Sequence, residues 1–330
     1  MKVAIIGAGY SAHHHLRAWS SNGVRVEAVV DINESRAKEF AHKYNIRSWY
    51  TSVDEMIKEF KPDIASICTP PQTHRDIATR LINEDVNVFI EKPLATNYSH
   101  ALEIIEKARS KNIKIWVVMN YLFSPWMIEA RRILRSGVLG DIVRADVLFY
   151  APQAVILEGG GWLRDLPGDA FGEILPHPIY LLQGVIGRLE LIDVSLKKFS
   201  QSSWMKYDEL IAFFKGESGY GRILASYNSS NFDIYVIVEA SKSTLIVNPI
   251  GKTFVILDKS WRFLRNITQY IPYISTALKI FIGRLSKDPL KQQIRYFIEH
   301  IRNNKPLEPN IDLIMNQYQI YEEIISKYEV

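Results

Sequence analysis

The chain has 330 residues, 47% of them hydrophobic and 23% charged, with a formal net charge of +4. That length suits two domains, and the composition is ordinary for a globular protein. The mild charge calls for no nucleic acid partner, the single cysteine, Cys68, excludes an intrachain disulfide framework, and no uninterrupted apolar run reaches membrane-spanning length.

Residues 2–6 form a short β-branched run and read as a buried strand. The run is too short for the core of a signal peptide, and one cysteine fits a reducing compartment, so the expected location is cytoplasmic. Gly7-Ala8-Gly9-Tyr10-Ser11-Ala12 follows at once. Gly7 allows a tight turn, Gly9 lets the backbone approach a pyrophosphate, Tyr10 and Ser11 open a helix, and Ala12 takes the third small position. The helix runs to about Asn22 and stops at Gly23; Val24 to Val30 is a second strand, ending at Asp31. Strand, glycine turn, helix, strand and acid together make the full βαβ setting of a dinucleotide site. Asp31 would accept hydrogen bonds from ribose hydroxyls and repel a 2′-phosphate. Ile32 and Asn33 follow it with no arginine, so NAD is expected, with NADP the alternative. His13-His14-His15 is not read as a metal site, because consecutive residues on a helix point in different directions.

The alternation of helix and strand continues to Met119. Helices are expected over Asn33–Lys43, Val53–Phe60, Ile77–Asn83 and Ala101–Ser110. Strands are expected over Ile46–Tyr50, Asp63–Ile67, Val86–Ile90 and Ile113–Met119. Two carboxyl ends stand out. Thr69-Pro70-Pro71 forces a turn after one strand, because proline bars both helix and ladder there. Thr73 is placed to cap the next helix, and His74 either touches a ligand or sits on the helix surface. Glu91-Lys92-Pro93 ends the following strand, again at the edge where a doubly wound sheet binds its ligand. X-Pro bonds carry most cis peptides, and a cis bond here would aim the lysine sharply.

A helix from about Pro125 to Ser136 leads to a turn at Gly137–Gly140 and a strand over Ile142–Tyr150. Between Leu189 and Leu257 several strand-like runs follow with only short turns between them: Ile192–Phe199, Glu209–Lys215, Gly221–Tyr227, Asp233–Glu239, Leu245–Val247 and Thr253–Leu257. That pattern is a large open, mostly antiparallel sheet. Two helices close the chain, with a loop near Asn304–Pro306. The expected division is a doubly wound α/β Rossmann domain over 1–120 and an α+β domain over 121–330. Residues 259–287 look like a helical insertion. They hold six basic residues, Lys259, Arg262, Arg265, Lys279, Arg284 and Lys287, and no acid, with apolar residues at steps of three and four. Such a stripe packs on its own sheet or on a partner subunit; the competing reading is peripheral contact with an anionic membrane.

These residues, in this order, resemble the glucose-fructose oxidoreductase/inositol dehydrogenase/MocA-type family over nearly the whole chain. The likeness rests on Gly7–Ala12 with His15, Asp31, Thr69-Pro70-Pro71 with His74, and Glu91-Lys92-Pro93. It continues through Asn120 with Phe123 and Pro125, Gly137-x-Leu139-Gly140-x-Ile142, Trp162-x-Arg164-Asp165, and His177. The resemblance implies a Rossmann domain plus a large open sheet, and a homodimer or homotetramer. It implies hydride transfer between nicotinamide and a hydroxyl carbon of a sugar, cyclitol or nucleotide-sugar. Lys92 matches the family's catalytic lysine and His177 its catalytic histidine. Glu173 stands where the family usually has an aspartate, four residues before the histidine, and Tyr180 stands where another aspartate is usual. Cofactor residues implied are Gly7, Gly9, Tyr10, Ser11, Ala12, Asp31, Thr69, Pro70, His74, Glu91 and Lys92. On the substrate side they are Asn120, Tyr121, Trp162, Arg164, His177 and Tyr180.

The chemistry follows from the residue types. Histidine, with an ordinary pKa of about 6.5, suits removal of a hydroxyl proton as hydride leaves. Glu173, one turn before His177, would orient the imidazole; Lys92 would stabilise developing alkoxide. Arg164 suits a carboxylate or phosphate on the substrate. No metal ligand set is expected. Two other functions remain open at this point: a sensor that binds dinucleotide without turnover, and a lyase or glycosidase that uses NAD for transient oxidation.

Overall fold

The structure, a computed structural model, describes residues 1–153, 164, 166–250, 253–258, 288–307 and 311–329. The chain folds as two compact units, Met1–Val118 with Asp288–Ile311, and Met119–Lys287 with Asp312–Val330.

The first unit is built on β1 (Val3–Ile6), α1 (Tyr10–Ser20), β2 (Val26–Val30), α2 (Glu34–Tyr44), β3 (Ser48–Tyr50) and α3 (Val53–Glu59). It continues with β4 (Ile64–Ile67), α4 (His74–Asn83), β5 (Asn87–Ile90), α5 (Tyr98–Ser110) and β6 (Ile115–Val117). The strands form one sheet in the order β3-β2-β1-β4-β5-β6, and every pair in it is parallel. Strands covered on both faces have no polar side to show, so β1 and β4 are buried throughout. The order reverses between β1 and β4, and at such a switch point a crevice opens beyond the carboxyl ends. Gly7, Asp31, Cys68 and Glu91 each follow directly on one of those ends.

The second unit opens with α6 (Pro125–Arg135), capped by the Ser124 hydroxyl on Met127 N–H, and β7 (Ile142–Pro152). Two short helices follow, α7 (Asp169–Ile174) and α8 (Pro176–Ile186). The strands β8 (Leu189–Lys197), β9 (Glu209–Gly216), β10 (Gly219–Ser226), β11 (Asn228–Ala240), β12 (Ser243–Val247) and β13 (Phe254–Asp258) complete a sheet with β7. Its order is β13-β12-β11-β7-β10-β9-β8. The pairs are antiparallel except β7 with β10, which run parallel. The sheet is thus mostly antiparallel, as the sequence predicts; the one parallel pair arises because β7 reaches the sheet from α6 and inserts between β11 and β10, which are consecutive in sequence. Alternation sorts the two faces: Ala145, Val147, Phe149, Ala212, Phe214, Ile223, Val236 and Val238 are buried, and α8 lies across β7 and β10.

The closing helices are α9 (Pro289–Arg302) and α10 (Ile311–Glu329). The sequence placed both in the second domain. The chain does cross at Val118–Met119, close to the expected boundary, but residues 288–311 group with the first unit. There the apolar face of α9 buries Leu290, Ile294, Phe297 and Ile298. Phe297 meets Phe89 with ring centroids 5.5 Å apart, and Trp116 Nε1–H donates to Gln293 Oε1 at 3.1 Å. The basic insertion 259–287 lies outside the described residues, so the packing and membrane readings of it both stand as expectations. Among the described residues no helix is long and apolar enough to cross a membrane.

Candidate active site

The first unit holds a cradle for a dinucleotide. Gly7 adopts φ 93°, and a Cβ there would lie 3.0 Å from the Cys68 carbonyl oxygen, so only glycine fits the turn. Gly9 faces open space, and no side chain caps the first turn of α1. Backbone N–H groups at that helix start can therefore be satisfied by a phosphate. Ala12 is buried, while Tyr10 is exposed and Ser11 half-buried beside it. Asp31 ties the loop down: Oδ2 accepts from Ala8 N–H at 2.9 Å and Oδ1 from Asn33 N–H at 2.8 Å. These features fit NAD. One neighbour escaped the sequence reading, which weighed only the residues directly after Asp31. The first turn of α2 brings Arg36 Nε to 3.6 Å from Asp31 Oδ1.

The Glu91-Lys92-Pro93 turn is pinned from both sides by buried histidines. The Lys92–Pro93 bond is cis. Glu91 accepts from Lys92 N–H at 3.2 Å through Oε2, while its Oε1 lies 2.9 Å from His15 Nε2. His15 Nδ1 in turn lies 2.7 Å from Ser66 Oγ, which also accepts from Trp19 Nε1–H at 3.2 Å. Burial disfavours the His15 cation, but Cys68 and Glu91 beside it outweigh that and raise the pKa to about 10. Burial likewise disfavours the Glu91 anion, yet His15 and Lys92 hold its pKa below the ordinary range. The pair is a buried ion pair. On the other side, His74 Nδ1 lies 2.8 Å from Pro93 O and Nε2 2.9 Å from Thr69 O. Burial lowers the His74 pKa against the pull of those carbonyls. His74 thus joins the two ligand-edge turns, Thr69-Pro70 and Lys92-Pro93. Thr73 occupies the N-cap position of α4, but its hydroxyl bonds Thr69 Oγ1 and Pro70 O instead of the helix. The sequence could not show these bonds. His15 and Glu91 are 76 residues apart and meet only through the parallel register of the sheet.

In the second unit Tyr121 and His177 pack on Phe149, and Tyr180 packs on His177. His177 stacks on Phe149 with an interplanar angle of 5°, and the Tyr121 ring stands edge-on with its centroid at 4.9 Å. The Tyr180 hydroxyl lies 2.9 Å from His177 Nδ1 and accepts from Tyr121 N–H at 3.3 Å. Glu173 charge acts on Tyr121, whose pKa is pushed up to about 12 by burial and then by that carboxylate. Asn120 sits half-buried in the turn before Tyr121. Arg164 is exposed and places its guanidinium over the Trp204 ring at 5.4 Å. Trp162 lies outside the described residues. Among the described residues no group of His, Cys, Asp and Glu is placed to hold a metal ion.

Known proteins agree with this architecture. The family model described as "Oxidoreductase family, NAD-binding Rossmann fold" (GFO_IDH_MocA) matches residues 1–119. An oxidoreductase of Formosa agariphila is 28% identical over 196 residues, 57% of this chain and 61% of that protein. The mouse trans-1,2-dihydrobenzene-1,2-diol dehydrogenase is 30% identical over 175 residues, 50% of this chain and 53% of that protein. The chain thus aligns with little more than half the length of these relatives. A solved levoglucosan dehydrogenase with NADH superimposes with a TM-score of 0.83 at 16% identity, covering 99% of this chain and 96% of that one. The WlbA dehydrogenase of Bordetella pertussis, solved with NADH and UDP-GlcNAcA, gives 0.81 at 15% identity, covering 100% and 96%. These likenesses extend the two-part fold over the full chain. Over residues 1–119, with its glycine cradle and pinned lysine turn, the chain is similar to the GFO_IDH_MocA oxidoreductases and to their NAD-binding Rossmann fold.

Proposed function

We propose that the protein is a cytoplasmic NAD(P)-dependent dehydrogenase acting on a CH–OH group of a sugar, cyclitol or nucleotide-sugar, in either direction. The observation that carries this reading is the Glu91-Lys92-Pro93 turn, held by His15 and His74 at the carboxyl end of β5. Holding a lysine so firmly at the ligand edge suits a group that must meet developing charge at a fixed point. Bound NAD would supply the hydride acceptor. Lys92 hydrogen-bonds the reacting oxygen and stabilises its negative charge. His177 takes the hydroxyl proton, and gives it back when a carbonyl is reduced. Glu173 adds negative potential to the histidine cluster, favouring the imidazolium that forms. The relatives lend support by their names, a levoglucosan dehydrogenase and a dihydrodiol dehydrogenase. The outer face of the second sheet carries self-association in this reading.

The test has two steps. Quenching of tryptophan fluorescence measures NAD and NADP binding, and absorbance of the reduced cofactor measures turnover over a panel of polyols, sugar acids and uridine- and thymidine-linked sugars. With a substrate in hand, Lys92→Ala and His177→Ala are each expected to lower kcat by about 10²–10⁴-fold and to leave NAD affinity within about twofold. Tight NAD binding with no turnover across the panel would favour a sensor. A His177→Ala protein with full turnover would remove the histidine from the reaction.

A further inference from the structure

We infer that Tyr180 is the positioning residue of His177, its hydroxyl holding Nδ1 in both the neutral and the protonated states of the ring. The inference rests on the reading of His177 as the proton-transfer group. Tyr180 follows His177 by three residues on α8, so both side chains leave one face of the helix. Its hydroxyl is 2.9 Å from Nδ1, and the two rings stand perpendicular at 5.6 Å. The hydroxyl is itself anchored by the N–H of Tyr121, on a different segment, and Tyr180 is only 2% exposed. Phe149 and Tyr121 fix the plane of the imidazole; Tyr180 fixes its rotation within that plane.

A hydroxyl does something a carboxylate cannot. A carboxylate only accepts, so it commits Nδ1 to carrying a proton and adds a full negative charge beside the ring. A phenol hydroxyl donates to a bare Nδ1 and accepts from a protonated one, changing role by rotation about its C–O bond. For Nε2 to take a proton, Nδ1 must already carry one, so through that step the hydroxyl accepts from Nδ1–H before and after; its donor role holds the other neutral tautomer, in which Nε2 carries the proton. The other titratable groups of the cluster are Tyr121, with a raised pKa, and Glu173, whose charge acts on Tyr121. The hydrogen bond to the cation is charge-assisted and stronger than that to the neutral ring. Tyr180 therefore favours the cation modestly, without the full pull of an adjacent carboxylate.

The test does not need a substrate. Histidine labelled with 13C and 15N is incorporated into the full chain, which has eight histidines, and the His177 signal is assigned by its loss in His177→Gln. Tyr180→Phe removes one oxygen and keeps the ring. Its His177 titration midpoint is expected to fall by about half to one pH unit, with a changed 15N tautomer pattern and unchanged NAD affinity. Tyr180→Trp, checked for folding by circular dichroism, offers a donor of different reach and should shift the midpoint differently from Phe. With a substrate, the acid limb of kcat/KM should move with the midpoint and KM should stay within about twofold. An unmoved His177 titration in Tyr180→Phe overturns the inference. Full turnover in His177→Gln instead overturns the functional reading and leaves the titration result standing on its own.

Discussion

His15 and Glu91 lie 2.9 Å apart, and their pairing has a definite pH signature. The folded pKa of Glu91 is depressed, so its stabilisation is present above its ordinary 4.5 and is lost as pH falls through the folded value. The folded pKa of His15 is raised, so its stabilisation is complete below its ordinary 6.5 and is lost as pH rises through about 10. Both contributions are whole between about pH 4.5 and 6.5. Glu91→Gln leaves a buried imidazole without its counter-charge, a loss on the order of 3 kcal/mol. Calorimetry should therefore show the largest Tm gap between wild type and Glu91→Gln near pH 5.5, and a much smaller gap near pH 9.5. A gap independent of pH would mean that His15 is neutral in the fold. What the sequence revealed at this scale was identity without partnership. Lys92, His177 and Asp31 were legible because each sits in a short spacing pattern. The bond from His15 to Glu91 and the bond from Tyr180 to Tyr121 were not, because they join segments far apart in the chain.

Among the elements, the Rossmann strands and helices were legible because their periods are strong and their stops are glycines, prolines and caps. Two features were not. The parallel pairing of β7 with β10 depends on where a strand enters a sheet, and no local pattern encodes that. The docking of α9 on the first unit depends on a face that reads the same whichever domain it covers. That face makes a specific prediction. Phe297 is fully buried against Phe89, so Phe297→Ala should cost about 3–5 kcal/mol. Because Phe89 lies two residues before Glu91, NAD affinity should fall with stability, measured by denaturant titration and fluorescence quenching. Loss of stability with NAD affinity unchanged would show that the helix braces a part of the unit the cofactor does not feel.

At the scale of the whole molecule, the outer face of the second sheet is the surface that asks for a partner. One cross-strand row runs Ile211, Leu224, Leu148, Tyr235 over β9, β10, β7 and β11. A second runs Phe213, Arg222, Asp146, Ile237, Ile246, Val255, with Arg222 and Asp146 paired at 3.0 Å in its middle. Apolar rows of that extent are rarely left to water. Light scattering at micromolar concentration should give a dimer or tetramer, and Leu224→Glu should give monomers that still bind NAD. A monomeric wild type would count against the proposal. Alternation along β7, β9, β10 and β11 marks this face, but the ion pair set among its apolar neighbours is visible only in the register.

The placement of α9 also bears on how the protein is made. A ribosome releases the glycine loop, the acid and the lysine turn early, yet the helix that covers Phe89 and Trp116 emerges only with residues 289–302. Until then the nascent cofactor unit shows an apolar flank, and it waits through the synthesis of the entire second sheet. A fragment ended at residue 120 would carry every residue of the cradle and still present that uncovered flank, so it should aggregate or bind a chaperone. Any exchange of cofactor units between relatives of this fold would have to move two stretches of gene, not one.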